Sequence, residues 1–244
     1  MKTKKTKKIG IVALKGGEGK SLVACQLASW FAQEGHRPFL IDSDEQETSY
    51  EYSKIRAENQ RVKQFDCMKL TGIDVRKKVL EMEGKYSIII IDAGGRHTES
   101  LRAVLSVCDA VFIPVTPSSE SLWSLSRQLS NSSPKLLDVV IEMKQANPNL
   151  KVFSFINRGD VQGNSNQEVA EYLEKLDELE HIDVTLQNRR AYRNSITQGL
   201  ALNEQKGRYR DLKAINEFEK LYNNVKKKIK VTLNKHHDKV KTKQ

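Results

Sequence analysis

The stretch ALKGGEGKS, residues 13–21, decides the fold that this sequence predicts. It follows KIGIVAL (8–14), an apolar run that indicates a buried strand, and it leads into residues 20–34, whose apolar side chains recur at helical spacing. A glycine-rich turn between a strand and a helix predicts a phosphate-binding loop, because its backbone N–H groups can converge on phosphate oxygens without Cβ clashes. The glycines of this loop are Gly16, Gly17 and Gly19.

The loop departs from the usual pattern G-x-x-x-x-G-K-[ST] at its first position. Leu14 stands where the first glycine is expected, and a second lysine, Lys15, follows it. We expect Lys20 to reach the β- and γ-phosphates of ATP and the Ser21 hydroxyl to ligate Mg²⁺. The residues predicted to bind the nucleotide through this loop are Gly16, Gly17, Glu18, Gly19, Lys20, Ser21 and Leu22.

The early lysine makes this loop resemble the deviant phosphate loop, K-G-G-x-G-K-[ST], of the ParA/MinD family of ATPases. In that family the early lysine crosses the interface of a dimer that encloses ATP, and it contacts the nucleotide of the partner subunit. The resemblance therefore implies a homodimer bridged by ATP, in which Lys15 acts on the other subunit's phosphates.

Two later motifs extend the resemblance and supply carboxylates. FLIDSDEQ (39–46) resembles a strand followed by the family's D-x-D-P-Q motif, with glutamate in place of proline. IIIIDAGGR (88–96) resembles the family's Walker B strand, although the usual D-T-P-P reads D-A-G-G. The resemblance implies that the second aspartate of the first motif positions the attacking water, and that the other two aspartates lie near Mg²⁺. The implied catalytic residues are Lys15, Lys20 and Asp44, and the implied metal residues are Ser21, Asp42 and Asp92.

Two further segments resemble the family. VFIPVTPSSESLWSL (111–125) resembles the strand and helix that follow in small ParA proteins, and RRAYRNSITQGLAL (189–202) resembles a late segment of the family. By family position alone, Asn157 and Arg158 are implied contacts of the adenine base, together with the loop 186–190.

Glu18 occupies a loop position at which the family usually has valine, serine or threonine. A carboxylate beside a triphosphate is repelled unless it points to solvent or pairs with a cation. We expect the Glu18 side chain to face solvent. The alternatives are a weakened affinity for nucleotide or a contact with a partner.

Apolar runs alternate with helix-periodic segments along the chain, which predicts an α/β fold with a doubly wound, mostly parallel sheet flanked by helices. Unbroken apolar character indicates strands buried on both faces. These runs are RPFLID (37–42), YSIIIID (86–92), AVFIPV (110–115) and KVFSFIN (151–157). Helical periodicity recurs in residues 165–179 and 218–229. We expect one P-loop ATPase domain (9–230), a basic N-terminal extension (1–8) and a lysine-rich tail (231–244).

The net charge of +10 is concentrated at the two ends of the chain. Residues 1–8 hold five lysines, and residues 226–244 hold eight lysines and one aspartate, so the rest of the chain carries about −2. Such ends either attract a polyanion or serve as solubilising tails, and the sequence leaves both interpretations open.

Composition also excludes several classes. No apolar run reaches the 18 residues of a transmembrane candidate, and the N-terminal lysines are not followed by a signal-peptide pattern. Three scattered cysteines, Cys25, Cys67 and Cys108, predict reduced thiols in a cytoplasmic protein rather than disulfides, a zinc site or the paired cluster ligands of related iron proteins. Only 14 residues precede Lys15, which indicates a small ParA form.

The segment from Arg189 to Lys213 is rich in cations and predicts a DNA-binding surface, because phosphate contacts by Arg and Lys add together. The predicted DNA contacts are Arg189, Arg190, Arg193, Arg208, Arg210 and Lys213. We expect a DNA-segregation ATPase that binds non-specific double-stranded DNA as its ATP dimer, at the nucleoid. A ParB-type centromere-binding partner is expected to stimulate its otherwise slow hydrolysis and so to release the DNA.

Two other classes remain open. The apolar stripe in residues 218–229, followed by lysines, could lie on a membrane surface as in a MinD-like positioning ATPase, or it could pack the last helix onto the sheet. A third class is a scaffold that binds nucleotide with negligible turnover. The cargo that such an ATPase would position is not readable from the residues.

Overall fold

The computed structural model describes residues 5–94, 98–126 and 135–231, apart from the side chain of Thr98. Its strands form one seven-stranded sheet in the order β3-β2-β4-β1-β5-β6-β7, and every neighbouring pair is parallel. The strands are β1 Lys7–Ile11, β2 Pro38–Ser43, β3 Asp66–Lys69, β4 Ile88–Ala93, β5 Ala110–Val115, β6 Lys151–Gly159 and β7 Glu180–Gln187. The predicted doubly wound parallel sheet is confirmed.

Helices cover both faces of the sheet and create two apolar cores. One core joins the sheet to α1, α2, α8 and α9, and the other joins it to α3, α4, α6 and α7. The helices are α1 Lys20–Gln33, α2 Thr48–Ala57, α3 Asp74–Met82, α4 Thr98–Val107, α5 Ser119–Leu125, α6 Leu136–Ala146, α7 Ser165–Leu173, α8 Arg190–Gln198 and α9 Leu212–Ile229.

The central strands are buried on both faces, as their unbroken apolar sequences predict. All six residues of β4 are buried, and so are those of β2 and β5. In β1, Gly10 allows α4 to approach closely, because a Cβ at this position would lie 2.8 Å from Val104 Cγ1. The order of the strands reverses at β1, which lies between β4 and β5. The carboxyl ends of the strands at such a switch point are the usual place for a ligand site in this kind of sheet.

Two strands escape prediction because they lie at the edges of the sheet. β3 is a four-residue strand with exposed ends, and β7 alternates buried and exposed residues instead of forming an apolar run. The predicted helix 165–179 ends at Leu173, although Leu176 still packs in the core. β1 begins at Lys7, so the last two residues of the predicted extension are part of the strand. Within the predicted tail 231–244, the structure describes residue 231 alone.

The apolar stripe of α9 packs inside the protein. Phe218 and Tyr222 contact the Trp30 ring of α1, with ring centroids 5.4 Å and 5.3 Å apart. The buried members of the stripe are Phe218, Leu221, Tyr222, Val225 and Ile229. This burial favours the packing interpretation and removes the surface on which the membrane alternative depended. Across the described ranges, no helix combines the length and apolarity that spanning a bilayer requires.

Candidate nucleotide-binding site

A pocket of about 560 Å³ opens at the carboxyl ends of β1, β2 and β4, next to the switch point. Its walls come from the phosphate loop and the start of α1, and from the loop after β2 with the start of α2. One residue after β4, one near the end of β6 and two on α8 complete them. The lining residues are Gly16, Gly17, Gly19, Lys20, Ser21, Leu22, Ser43, Asp44, Glu45, Gln46, Thr48, Gly94, Arg158, Arg193 and Ile196. The volume and shape suit a nucleotide-sized ligand.

The phosphate loop has the backbone conformation that its glycines allow. Gly17 and Gly19 have φ of +88° and +82°, in the left-handed region that disfavours other residues. A Cβ on Gly19 would also overlap the Asn157 side-chain amide. Since Gly19 is the N-cap of α1 and carries no capping side chain, the first N–H groups of the helix remain available to a phosphate.

Two carboxylates lie side by side near the carboxyl ends of β2 and β4, where Ser43 and Gly94 line the pocket. Asp42 of β2 and Asp92 of β4 are register partners in adjacent strands, and both are buried. The Asp42 carboxylate accepts hydrogen bonds from the backbone N–H groups of Asp44, at 3.0 Å, and Tyr50, at 2.8 Å. Burial raises the pKa of Asp42 despite these bonds. Burial, followed by the charge of Asp42, raises the pKa of Asp92 to about 7.

The Asp92 carboxylate fits a cation site. Its Oδ2 accepts a hydrogen bond from Ser49 Oγ at 2.7 Å, whereas its buried Oδ1 has no hydrogen-bond partner among the residues that the structure describes. The Ser21 hydroxyl is near enough to oppose the rise of the Asp92 pKa. Carboxylate and hydroxyl oxygens are ligands that Mg²⁺ accepts together with phosphates, and a divalent cation would offset the repulsion between the two aspartates. The residues present therefore fit magnesium.

Asp44 lines the same pocket and is only half-buried. Its Oδ1 accepts a hydrogen bond from Gln46 N at 3.0 Å, which fixes the carboxylate in the loop after β2. Gly94, directly after β4, packs against this loop, since a Cβ there would lie 2.7 Å from Ser43 O. The first glycine of D-A-G-G is thus required by close packing. Gly95 and Arg96, the rest of that predicted loop, lie outside the described residues.

Lys15 does not line the pocket of its own chain. Its Nζ lies 3.3 Å from Ser118 Oγ and 3.8 Å from Glu120 Oε2, over the N-terminal turn of α5. The side chain is 36% exposed and so remains accessible to a second molecule. This position is compatible with the predicted contact across a dimer, which stays a prediction.

The expectation that Glu18 faces solvent is wrong. The residue is 2% exposed, and its carboxylate accepts hydrogen bonds from Ser121 Oγ at 2.6 Å and Thr116 N at 2.7 Å. The side chain turns away from the pocket because these two donors lie behind the loop, at the junction of β5 and α5. Repulsion from the phosphates is thereby reduced without exposure to water.

The two implied adenine contacts have different positions. Arg158 lines the pocket, with φ of +54° at the end of β6. Asn157 is buried, and its Nδ2 donates a hydrogen bond of 2.6 Å to the carbonyl oxygen of Glu18. This amide nitrogen therefore donates one hydrogen bond that stabilises the phosphate loop, and the contact of Asn157 with adenine stays a prediction.

The predicted DNA surface is divided. Arg189 is engaged by the protein itself, because its guanidinium donates to Glu217 Oε1 at 2.8 Å and to Gln187 Oε1 at 2.5 Å. Arg193 lines the nucleotide pocket. Arg189 is therefore not a free cation of an open DNA surface, whereas Arg193 is exposed as well as part of the pocket wall, and its contact with DNA stays a prediction. The cations of the segment that are exposed are Arg190, Arg193, Lys206, Arg208, Arg210 and Lys213.

A groove of about 570 Å³ adds cations that the sequence did not single out. Arg61 and Lys63, in the loop after α2, line it together with Lys206 and Tyr209. The guanidinium carbon of Arg208 lies 4.9 Å from the centroid of the Tyr209 ring. The groove was missed because residues 61–63 lie far from residues 206–209 in sequence.

Comparison with known proteins agrees with the geometry of the pocket. The model of the CobQ/CobB/MinD/ParA nucleotide binding domain family matches residues 9–243. Maintenance of carboxysome distribution protein A from Halothiobacillus neapolitanus is 21% identical over 226 residues, which cover 92% of this chain and 99% of that protein.

Two solved structures share the fold. A protein from Borrelia burgdorferi described as a plasmid partition protein, bound to AMPPNP, superposes with a TM-score of 0.68 at 20% identity and covers 92% of this chain and 100% of its own. The septum site-determining protein MinD from Pyrococcus horikoshii, complexed with Mg-ADP, has a TM-score of 0.62 at 16% identity, covering 91% of this chain and 96% of its own.

Proposed function

This chain belongs to the CobQ/CobB/MinD/ParA nucleotide-binding family, and we propose that it is an ATPase that dimerises around ATP and binds DNA non-specifically as that dimer. The observation that carries the proposal is the pocket lined by the phosphate loop and Asp44, together with the buried Asp42–Asp92 pair in the strands that lead to it. These are the parts that phosphoryl transfer to water requires: a phosphate site, carboxylates for a metal and a carboxylate for the nucleophile.

In the proposed reaction, the N–H groups of the loop and Lys20 bind the β- and γ-phosphates of ATP. Ser21, Asp42 and Asp92 would hold Mg²⁺, which supplies positive charge at the transferred phosphoryl group. The Asp44 carboxylate accepts a hydrogen bond from the attacking water and orients it toward the phosphorus. ADP and phosphate are released after the water has displaced the leaving oxygen.

Dimerisation is proposed to complete this site. Lys15 lies outside the pocket of its own subunit, and its ammonium is accessible. In a dimer with ATP at the interface, each Lys15 would neutralise charge on the phosphates of the other subunit. Turnover of the isolated protein is expected to be slow, and a ParB-type partner is proposed to stimulate it.

We propose that DNA binds to a surface made of the exposed cations that follow α8 and of the neighbouring groove that Arg61, Lys63 and Lys206 line. Arg208, Arg210 and Lys213 are exposed, and Arg61 and Lys63 lie in the groove that Lys206 also lines. Lysine and arginine contacts with phosphates are additive and carry no sequence preference, so two such surfaces in one dimer would bind duplex DNA much more tightly than one.

The test is binding of a fluorescent 60-base-pair duplex with and without Mg²⁺-ATP. We expect binding that depends on ATP, together with slow hydrolysis. ATP-dependent binding to anionic liposomes, with DNA binding indifferent to nucleotide, would instead establish the membrane class. Nucleotide binding without measurable hydrolysis in the presence of DNA would establish the scaffold class.

A second candidate concerns the cargo. The similarity to a carboxysome distribution protein extends over nearly the full length of both chains. This favours a protein assembly as an alternative cargo to a plasmid or chromosome, with the same ATPase cycle on DNA. Purifying the protein with its bound cargo from its natural host, with the Asp44→Ala variant as the trap, distinguishes a centromere complex from a protein compartment.

A further inference from the structure

Glu18 is a charged residue of the phosphate loop, and its side chain points away from the nucleotide pocket. It does not line the nucleotide pocket. Its carboxylate lies instead beside a small cavity of about 10 Å³, which is also lined by Leu14, Ser121 and Leu125. A cavity of this volume is at the lower limit for one water molecule, so the carboxylate depends on protein donors for its hydrogen bonds.

Those donors come from the segment that joins β5 to α5. Thr116 N and Ser121 Oγ both donate to the Glu18 carboxylate, at 2.7 Å and 2.6 Å. Ser121 Oγ is in turn 2.8 Å from Ser118 Oγ, which accepts a hydrogen bond from Lys15 Nζ at 3.3 Å. A continuous hydrogen-bonded series therefore runs from Glu18 through the two serines to Lys15.

The backbone of the same residue is fixed from the other side. Asn157 Nδ2, at the end of β6, donates to the Glu18 carbonyl oxygen at 2.6 Å. Glu18 is thus connected to β5 and α5 through its side chain and to β6 through its main chain. The next residue, Gly19, is where α1 begins and where the helix presents its N–H groups to the pocket.

We propose that Glu18 is a positioning residue that couples the phosphate loop to α5. The carboxylate fixes the loop in the conformation that binds phosphate, and through Ser121 and Ser118 it supports the Lys15 ammonium over α5. This inference rests on the proposed binding of ATP. Without the carboxylate, the Thr116 N–H and the buried Ser121 hydroxyl lose their acceptor, and the loop loses its buried connection to α5.

The experiment measures the Kd of a fluorescent ATP analogue with Mg²⁺ at protein concentrations too low for dimers. We expect Glu18→Val to raise the Kd about tenfold or more, which corresponds to the loss of one strong hydrogen bond to a charged group. Ser121→Ala should raise it several-fold. The double variant should have a Kd no higher than that of Glu18→Val, because both changes remove the same hydrogen-bonded connection. Glu18→Gln keeps an acceptor oxygen and should recover part of the affinity.

Ser124→Ala is the matched control, because Ser124 lies one turn further along α5 and its hydroxyl bonds to Ser121 O rather than to Glu18. Its Kd should equal that of the parent. Urea unfolding of the nucleotide-free variants separates stability from positioning. A Glu18→Val protein that is less stable, yet binds the analogue within twofold of the parent when folded, would overturn the inference.

Should Glu18→Val fail to fold, Ser121→Ala and Glu18→Gln still decide the question. Parental Kd values for both would overturn the coupling, and raised values would support it. A parent protein that binds no ATP analogue would overturn the proposed function and this inference with it, whereas a parent that binds and variants that bind equally well would overturn the inference alone.

Discussion

Arg189 and Glu217 form an ion pair that connects the start of α8 to α9, with Arg189 Nε 2.8 Å and its terminal nitrogen 2.7 Å from Glu217 Oε1. Both side chains are less than one fifth exposed. The other oxygen of Glu217 accepts a hydrogen bond from Gln187 N at 3.1 Å. The pair therefore joins β7, α8 and α9 at one point, and it positions the segment that contains the remaining cations.

Replacing Glu217 should accordingly reduce stability. In Glu217→Gln the guanidinium of Arg189 loses its charged partner in a mostly buried place, so we expect the free energy of unfolding to fall by about 1–3 kcal/mol. Urea denaturation at constant m-value measures this fall. Glu219→Gln, an exposed change two residues further along α9, should stay within about 0.5 kcal/mol of the parent. Equal stability of the two variants would show that the Arg189–Glu217 pair contributes nothing to the free energy of unfolding.

Arg193 should matter for nucleotide rather than for DNA alone. Since it lines the pocket with the phosphate loop, Arg193→Glu places a negative charge near the triphosphate and should weaken ATP binding about tenfold or more. Isothermal titration with Mg²⁺-ATP measures the affinity. Arg190→Glu, which is exposed one turn earlier in α8 and does not line the pocket, is the control and should bind ATP normally. Normal ATP affinity in the Arg193 variant would place its function outside the pocket.

The sequence predicts the pocket well because its determinants are local. The glycines and Lys20 lie within five residues between a strand and a helix, and Asp42 and Asp92 each end an apolar strand. Parallel strands bring such carboxyl ends to one edge of the sheet, so both aspartates were expected at the edge where the pocket lies. Their exact register partnership follows from the pairing of β2 with β4.

The predictions that were wrong share a different cause, which is that the interacting residues lie far apart along the chain. The direction of Glu18 depends on Thr116 and Ser121, about a hundred residues later, and the use of Arg189 depends on Glu217 on another helix. Ser49, which donates to Asp92, carries no pattern of its own in α2. From the sequence alone, a charged residue is expected to be exposed and unpaired. A partner that lies far along the chain leaves no local pattern that would reveal it.

Asp44 is expected to be needed for hydrolysis and not for binding. Asp44→Ala should retain ATP binding and dimerisation but lose about two to four orders of magnitude in turnover, since the water loses the group that orients it. Single-turnover hydrolysis with DNA present measures the rate. Glu45→Gln removes the neighbouring carboxylate of the same loop and should leave most of the rate. Parental turnover by Asp44→Ala would rule out the assigned role.

Lys15 is expected to act on the partner subunit. Lys15→Gln should leave the phosphate loop of its own subunit intact, yet prevent the dimer, because the charge that neutralises the other subunit's phosphates is gone. Sedimentation with Mg²⁺-ATP should show a monomer where the parent is dimeric. Lys77→Gln, at an exposed position of α3, serves as the control for the loss of one positive charge. A dimeric Lys15→Gln that turns over normally would exclude action across the interface.

The last prediction concerns the class of the protein. If ATP converts a weak DNA binder into a strong one, the exposed cations of two subunits must act together. Three or four phosphate contacts from one subunit give a slope of log K against log salt of about −3, and a dimer should give about −6. Salt titration of duplex binding, with ATP and without it, measures both slopes.

Charge reversal locates the surface. Arg208→Glu with Arg210→Glu should abolish ATP-dependent DNA binding while ATP binding survives, because neither residue lines the nucleotide pocket. Arg76→Glu with Lys77→Glu makes the same change of charge on α3, which packs on the opposite face of the sheet, and should reduce binding only slightly. Since net charge changes equally in both double variants, a difference between them can come only from where the cations lie. Equal losses would mean that DNA responds to the overall charge of the protein, and a slope that ATP does not change would contradict the dimeric DNA-binding ATPase.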